Sequence, residues 1–352
     1  MFKSFKVGTV LNSFSGILSI LNYQNSEVTI EFPSRINAMA LDPSQIEERL
    51  DNTYSAGEII FTTDLFKSIS VVKVNCDSDR VFTTRPSLVL HAVELMRKAL
   101  NITQKFEVTI HDPNNFKHSG LGSSSSLIAG VMCAINVLYG LPISARDLVA
   151  YAARNHGEET IDDNQLSPVQ CLGGSAVAGL YEGCLSILVG KNRVLYSCDL
   201  PEQHIVIGIP SDYKPLNADE LMVLESQAMP KFVATGLKYR ENISYQLTHQ
   251  VIPDLMESDS DSLKKLIYEY RFDYGSIANC SFCYPRIVNI AEQLRPLNSS
   301  KEVTVLGLSS VGPAFFALTT NSQLVQSAFE SQGLKCILTK VYNGKFKIQT
   351  LK

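Results

Sequence analysis

The stretch HSGLGSSSS, from His118 to Ser126, sets two glycines and a run of hydroxyls directly before a long apolar segment. Glycines permit positive φ and close backbone approach, and the first turn of a helix carries unpaired N–H groups and a partial positive charge. A strand, a Gly-rich loop and a helix start in that order make an anion site suited to phosphate or pyrophosphate. His118, Ser119, Gly120, Leu121, Gly122, Ser123, Ser124 and Ser125 are the residues expected to form it, with hydroxyls, Ser124 above all, placed to reach a phosphate-bound magnesium ion. The same letters fit a helix capped by serine behind a flexible lead-in. The loop is neither GxxxxGK[ST], lacking the lysine, nor GxGxxG, lacking the third glycine. A second loop, in LGLSSVGPAFFAL, places Gly307, Ser309, Ser310 and Gly312 between two apolar strands. A plain hairpin needs only a short Asn-Gly or Asp-Gly turn, so this loop is expected to face the first across a domain cleft.

Other side chains offer complementary chemistry. Asp162 and Asp163 are the best-placed carboxylates for a magnesium ion; adjacent side chains diverge, so one of them is expected to face water. Glu158 and Glu159 read as a solvated turn. His118 and His156 flank these segments and have the side chain that titrates near neutral pH, as a general acid or base or as a satisfied structural residue. Arg35 suits two-pronged pairing with a carboxylate or phosphate, against a plain role as an exposed strand arginine. Lys214 and Asn164 are weaker candidates for a phosphate and for ligand hydroxyls.

The elements that must hold these groups follow from periodicity. SEVTIEFPSRINAMAL, SISVVKVN and FEVTIHD alternate or are β-branched and read as strands. Pro86 opens a helical pattern ending near Lys98, and LIAGVMCAINVLYG is apolar around most of its circumference, a helix to be buried between layers and stopped at Gly140. LPISARDLVAYAARN restarts as a helix with Ser144 as N-cap and Asp147 three residues on. GGSAVAGLYEGCLSILVG reads as a pair of hairpin strands. The chain turns polar around Asp199 to Gln203, which divides residues 1–199 from 200–352. The second part reads HIVIGIP strand, several helices, EVTVLGL and AFFALTT strands, SQLVQSAFESQG helix and KCILTKVYN strand, an order that fits an antiparallel sheet covered by helices.

With 352 residues, 45% hydrophobic and 19% charged, the chain can bury a large core in two domains. Its formal charge of -4 is spread without a dense basic run, which argues against nucleic acid as a partner. The eight cysteines lie mostly in apolar runs without framework spacing, as expected of reduced thiols in the cytoplasm; Cys280 and Cys283 form a CxxC without a second ligand pair. The first residues contain an apolar run, but Ser, Gly and Asn interrupt it and no small-residue cleavage site follows. No segment approaches the ~20 apolar residues of a membrane span.

HSGLGSSSS resembles the phosphate-loop motif of the GHMP kinase superfamily, and GLSSVGPAFFAL resembles its C-terminal glycine loop. PSRINAMALD (Pro33 to Asp42), HSGLGS and GLSSVGP look like the corresponding segments of beta-ribofuranosylaminobenzene 5'-phosphate synthase and related enzymes of C-nucleoside pathways, which keep the kinase fold but use phosphoribosyl pyrophosphate (PRPP). Arg35 sits where those synthases have an arginine. The resemblance implies an α+β, two-domain fold: an N-terminal ribosomal-protein-S5-like domain and a C-terminal ferredoxin-like antiparallel sheet with helices. It further implies a magnesium- and PRPP-dependent transferase making a C-glycosidic bond to a carboxylated aromatic or heterocyclic acceptor, with release of pyrophosphate and carbon dioxide. Asp162 or Asp163 would then orient a ribose hydroxyl. HGEETIDDNQLSPVQCLGG (His156 to Gly174) is similar instead to a segment of homoserine kinases, which implies ATP and phosphoryl transfer to a small molecule. Either way the expected partners are small-molecule substrates, not nucleic acid or membrane, and a homodimer is compatible with both.

Overall fold

A computed structural model describes residues 4–14, 25–45, 56–113, 117–160 and 164–352. In its first part the chain forms β1 (Phe5–Lys6), β2 (Glu27–Leu41), β3 (Gly57–Val74), β4 (Arg80–Phe82), α1 (Pro86–Leu100), β5 (Lys105–His111), α2 (Ser123–Leu138), α3 (Ala145–Arg154), β6 (Gly157–Glu159), β7 (Gln165–Pro168), α4 (Gly174–Leu180), β8 (Leu185–Val189) and β9 (Arg193–Cys198). There follow β10 (His204–Pro210), α5 (Ala218–Gln246), α6 (Ile252–Met256), α7 (Asp261–Tyr268), α8 (Ser276–Asn279), α9 (Ile287–Leu294), β11 (Val303–Leu308), β12 (Phe315–Thr319), α10 (Ser322–Ser331), β13 (Leu334–Lys340) and β14 (Lys347–Leu351).

Two long strands, β2 and β3, organise the first sheet, whose order is β14-β2-β3-β5-β4 with β8 and β9 attached to the far end of β3. Ser68 to Val74 of β3 pair with β5, whereas Glu58 to Phe61 pair with β8, so one strand serves two partners along its length. The β2–β3 register shifts at Pro33/Ser34 and again at Asn37/Met39. Such irregularities re-aim side chains, and Arg35 and Asn37 lie between them. The second sheet, β11-β12-β10-β13, is antiparallel throughout, and β14 returns to pair with β2.

Local chemistry accounts for the helices. Pro86 starts α1 with its fixed φ, and Asn101 ends it in the left-handed region. Ser144 caps α3 by accepting the Asp147 N–H at 3.2 Å. Helix α2 is buried on nearly every side because it lies between β2, β3 and helices α1, α3 and α4. One apolar cluster joins these helices to Val28, Ile30, Phe32, Ile69 and Val71 of the sheet. A second, with Ile36, Met39, Phe61, Ile207 and Phe316, fills the space between the two sheets. A third packs α9 and α10 on the outer face of the second sheet through Ile287, Ile290, Phe315 and Phe329.

The hairpin expected for GGSAVAGLYEGCLSILVG is half wrong: Gly174–Leu180 is helix α4, and only its tail forms β8, which pairs with β9. The reason is packing. All seven α4 residues are buried, and a Cβ on Gly179 would lie 2.1 Å from the Phe32 ring. Small side chains here serve a helix pressed onto a sheet, so they carry no strand alternation. Gly179→Ala is therefore expected to destabilise the fold by about 1–3 kcal/mol through overpacking against Phe32, measured as a lower urea midpoint at unchanged slope.

Candidate functional site

The chain between β5 and α2 takes left-handed backbone at His118 (φ 50°), Gly120 (φ 86°) and Gly122 (φ 65°). Gly122, not a serine, occupies the N-cap of α2 and offers no side chain to the first turn, so the N–H groups opening α2 at Ser123 have no capping side chain. The glycines are sterically required. A Cβ on Gly120 would meet the Ser309 carbonyl oxygen at 2.3 Å, and one on Gly122 would meet Ser175 Oγ at 2.6 Å and Arg35 Cζ at 3.0 Å.

The two glycine loops touch. Ser309 Oγ donates to the Gly120 carbonyl at 2.8 Å, Arg35 Nη1 donates to the same carbonyl at 3.1 Å, and the Ala314 N–H reaches the Ser119 carbonyl at 3.3 Å. Asn37 of β2 joins the group, its N–H donating to Ser309 Oγ and its carbonyl accepting from the Ser310 N–H at 2.9 Å. Around this seam lies a cavity of about 170 Å³ lined by Arg35, His118, Ser119, Gly120, Gly122, Ser123, Ser124, Ser125, His156, Ser310 and Gly312, with Glu158 among the remaining residues. All of these except Glu158, whose sequence reads as a solvated turn, are expected site positions; Val169, Gln170, Leu221, Met222, Glu225, Cys283 and Val311 complete the lining.

Other expected positions fall elsewhere. Leu121 turns its side chain into the inter-sheet cluster and Ser309 is a buried strut between loops. Gly307, grouped with the second loop as a ligand contact, lies within β11, the strand read as EVTVLGL, opposite Phe316, whose ring a Cβ there would meet at 3.0 Å. Asp162 and Asp163 lie outside the described residues. Asn164 borders a different depression beside β1, and Lys214 is exposed. Tyr213 donates to the His118 carbonyl at 2.7 Å, whereas Tyr274 stacks on Tyr239 and Phe282 packs on Phe232. Cys283 borders the cavity, but burial pushes both CxxC thiols up to about 12, which suits inert thiols.

Glu158 and Glu159 are not a solvated turn. Arg85, nearly buried, binds Glu158 through Nη2 at 2.9 Å and Glu159 through Nε at 2.9 Å. Burial opposes charge on Arg85, but its two carboxylates outweigh burial and raise its pKa. Ser124 Oγ donates to Glu158 Oε2 at 2.7 Å, and His156 Nε2 lies 3.7 Å from Oε1. Burial works against ionisation of Glu158, yet the neighbouring His156 and the charge of Arg85 hold it at about 2. Burial lowers the His118 pKa despite the nearby Glu158. His156 Nδ1 and Arg35 Nε are buried without a hydrogen-bond partner.

A second chamber of about 140 Å³ adjoins the first, sharing Arg35, Ser125 and His156; Met229 and Phe232 of α5 with Tyr270 give it an apolar wall. Arg271, 2% exposed, borders it from the wide turn Glu269–Asp273 after α7. Its guanidinium donates to the carbonyls of Ala38 (2.6 Å), Ser310 (3.0 Å) and Asn37 (3.2 Å) and to Ser276 Oγ (3.2 Å). Glu58, also 2% exposed, accepts the Gly174 N–H at 2.7 Å and the Asn37 side-chain N–H. Sequence reading missed Arg85, Glu58 and Arg271; the one hint was a charged residue inside an otherwise apolar run, as in GEIIF and YEYRF.

The depressed Glu158 pKa carries a pH signature. A carboxyl lowered on folding contributes stability above its unfolded value near 4.5, lost as pH falls toward the folded value of about 2. The stability gap between wild type and Glu158→Gln is therefore expected to be full at pH 6 and to shrink at pH 3, read from urea melts at both values; a gap that widens on acidification would refute the assignment.

Residues 87–166 match the family model described as GHMP kinases N terminal domain. No curated protein matches the chain. Among solved structures it is similar to homoserine kinase from Cytophaga hutchinsonii, at 14% identity and TM-score 0.58 over 93% of this chain and 99% of that one. Mevalonate diphosphate decarboxylase from Staphylococcus aureus matches at 13% identity and TM-score 0.64, over 93% and 99%. L. major mevalonate kinase in complex with R-mevalonate matches at 14% identity and TM-score 0.58, over 94% and 100%. At such identities the likeness speaks for the fold. Residues 87–166 thus match the GHMP kinase N-terminal domain, and the chain has the two-domain α+β fold of these solved structures.

Proposed function

We propose that the protein is a small-molecule phosphotransferase that uses ATP as donor. The observation that carries this reading is the Ser124–Glu158 pair at the uncapped start of α2, a hydroxyl and an ionised carboxylate side by side in a cavity walled by two glycine loops. Magnesium prefers hard oxygen ligands and is commonly held by one or two carboxylates plus substrate phosphates. Ser124 and Glu158 fit that donor set, and Asp162 and Asp163 are further candidates. Bound magnesium supplies charge neutralisation on phosphate oxygens. Similarity to structures named as kinases favours ATP over the PRPP expected from the sequence, so the order of the two donors reverses here.

The residues divide the work. The α2 N-terminus and the Ser119–Ser125 backbone hold the donor's phosphates, while the second chamber holds the acceptor. Arg35 stands where the chambers meet, with one N–H unpaired and no carboxylate partner among the described residues, placed to neutralise the group in transfer. His156 borders both chambers with Nδ1 unpartnered, and takes the proton of the acceptor hydroxyl as that oxygen attacks the terminal phosphorus. ADP and a phosphorylated acceptor are the products.

PRPP remains the second reading, because the PSRINAMALD segment brings Arg35 to the cradle as the synthase resemblance implies. Pyrophosphate would then occupy the same loops as a leaving group.

Titration with PRPP and with an unreactive ATP analogue, each with magnesium, separates the two by melting temperature. A ligand at 100 times its Kd stabilises by ~2.7 kcal/mol; stabilisation by the ATP analogue is expected, and a response to PRPP alone would replace the kinase with the transferase. Ser124→Ala is expected to lower kcat at least about tenfold at little cost in melting temperature, as loss of an interaction made at the transferring phosphate. His156→Gln should lower kcat about a hundredfold with donor affinity kept; an unchanged kcat would remove His156 from proton transfer.

A further inference from the structure

Strand β1 pairs with β7, and β7 with β6, so Phe5 and Glu159 meet Leu166 from opposite sides. The Phe5 ring lies against the Gly157 backbone, where a Cβ would stand 2.6 Å from Phe5 Cζ. Gly157 separates His156 from Glu158, so the start of the chain presses on the backbone that carries both side chains. A second set of bonds converges on Asn155, fully buried at the C-cap of α3. Its Oδ1 accepts the N–H groups of Leu11 at 2.7 Å and Asn12 at 2.9 Å, and its Nδ2 donates to the carbonyls of Asn12 and Tyr151, each at 2.9 Å. Every bonding position of the amide is thereby filled, which leaves it one orientation. His91 Nε2 donates to the Asn155 carbonyl at 2.7 Å, and His91 Nδ1 accepts the Gly8 N–H at 3.0 Å. Burial lowers the His91 pKa to about 4, so the ring is neutral and can serve both partners. His156, by contrast, has no hydrogen bond at Nδ1 and takes its place from the backbone on either side of it.

We infer that the N-terminal arm, residues 5–12, is a positioning element of the site: through Phe5 and Asn155 it sets where His156 and Glu158 stand relative to the start of α2. This rests on the reading of that region as the donor and magnesium site. Attachment of the arm alone would be served by apolar contacts such as Phe14 on Tyr151, whose rings are 5.7 Å apart. The polar bonds and the Phe5 ring instead meet the chain at Asn155 and Gly157, on both sides of His156. None of Phe5 to Asn12 lines either chamber, so the arm acts only through the segment it grips. A displacement of about 1 Å in a group at a reacting centre can cost about a hundredfold in rate, and a grip on this short segment prevents one.

Phe5→Ala and Asn155→Ala, with Phe14→Ala as a control on the same arm, separate positioning from stability. The test is calorimetry with an unreactive ATP analogue, with and without magnesium, well below each melting temperature. Phe5→Ala and Asn155→Ala are expected to lose at least about tenfold of the affinity that magnesium adds, while affinity without magnesium stays within about twofold of wild type. Phe14→Ala should lower the melting temperature and keep both affinities, and Phe5→Leu, which retains bulk over Gly157, should recover most of the loss. A magnesium-dependent affinity equal to wild type in folded Phe5→Ala overturns the inference, as does a loss of the same size in Phe14→Ala. Should Asn155→Ala fail to fold, the partly exposed Phe5 decides. If magnesium adds no affinity in wild type, for the ATP analogue or for PRPP, the donor reading fails, and the NMR resonances of the His156 ring, assigned by their absence in His156→Gln, decide the inference alone. They are expected to shift in Phe5→Ala and to stay in place in Phe14→Ala; resonances unshifted in Phe5→Ala overturn it.

Discussion

The carbonyl oxygen of Ser309 lies 2.3 Å from where a Cβ of Gly120 would stand, and the architecture of the site depends on that approach of backbone to backbone. Neither loop forms a cradle by itself. The first belongs to the β5–α2 connection and the second to the β11–β12 connection, so the cavity exists only where the two sheets are packed together. Ile36, Phe61, Leu121, Ile207 and Phe316 supply that packing. Leu121, expected as a ligand contact, is the anchor that fastens the first glycine loop to this cluster.

Buried charge is the second organising feature. Arg85, Glu158, Glu58 and Arg271 are all largely removed from water, an arrangement whose desolvation cost can exceed the attraction gained. Its return is geometric. Arg85 fixes the Glu158 carboxylate beside Ser124, and Arg271 draws together carbonyls from β2 and from the second glycine loop. Asn37 ties Glu58 to Arg271, its side chain donating to the carboxylate and its carbonyl accepting from the guanidinium. A site held by such groups is preorganised before any ligand arrives, which is what transition-state stabilisation by fixed dipoles demands.

Several features were readable because they express local rules. Glycines with hydroxyls ahead of an apolar run announced the α2 start, helical periodicity located α1, α2 and α3, and Ser144 with Asp147 marked a cap. The failures share one cause. GSAVAGL is helical because Phe32 and α2 leave room only for small side chains there, a fact held in another part of the chain. HGEET looked like a polar turn because Arg85, which makes it an interior ion cluster, stands more than seventy positions earlier. Gly307 was grouped with the loop because of the Ser-Ser-Val-Gly that follows; pairing with Phe316 puts it in the strand read as EVTVLGL.

The sequence by itself determined the two glycine loops, the α2 start behind the first of them and the α+β architecture that carries both, because backbone freedom at glycine, unpaired helix-start amides and apolar periodicity act within a few residues. Tertiary structure alone decided which residues meet there. The pairing of Ser124 with Glu158, the burial of Glu58 beside α4 and the convergence of Arg35 and Arg271 on one chamber join positions from tens to more than two hundred residues apart. Contacts of that kind are set by strand register and core volume, which no short window of residues encodes.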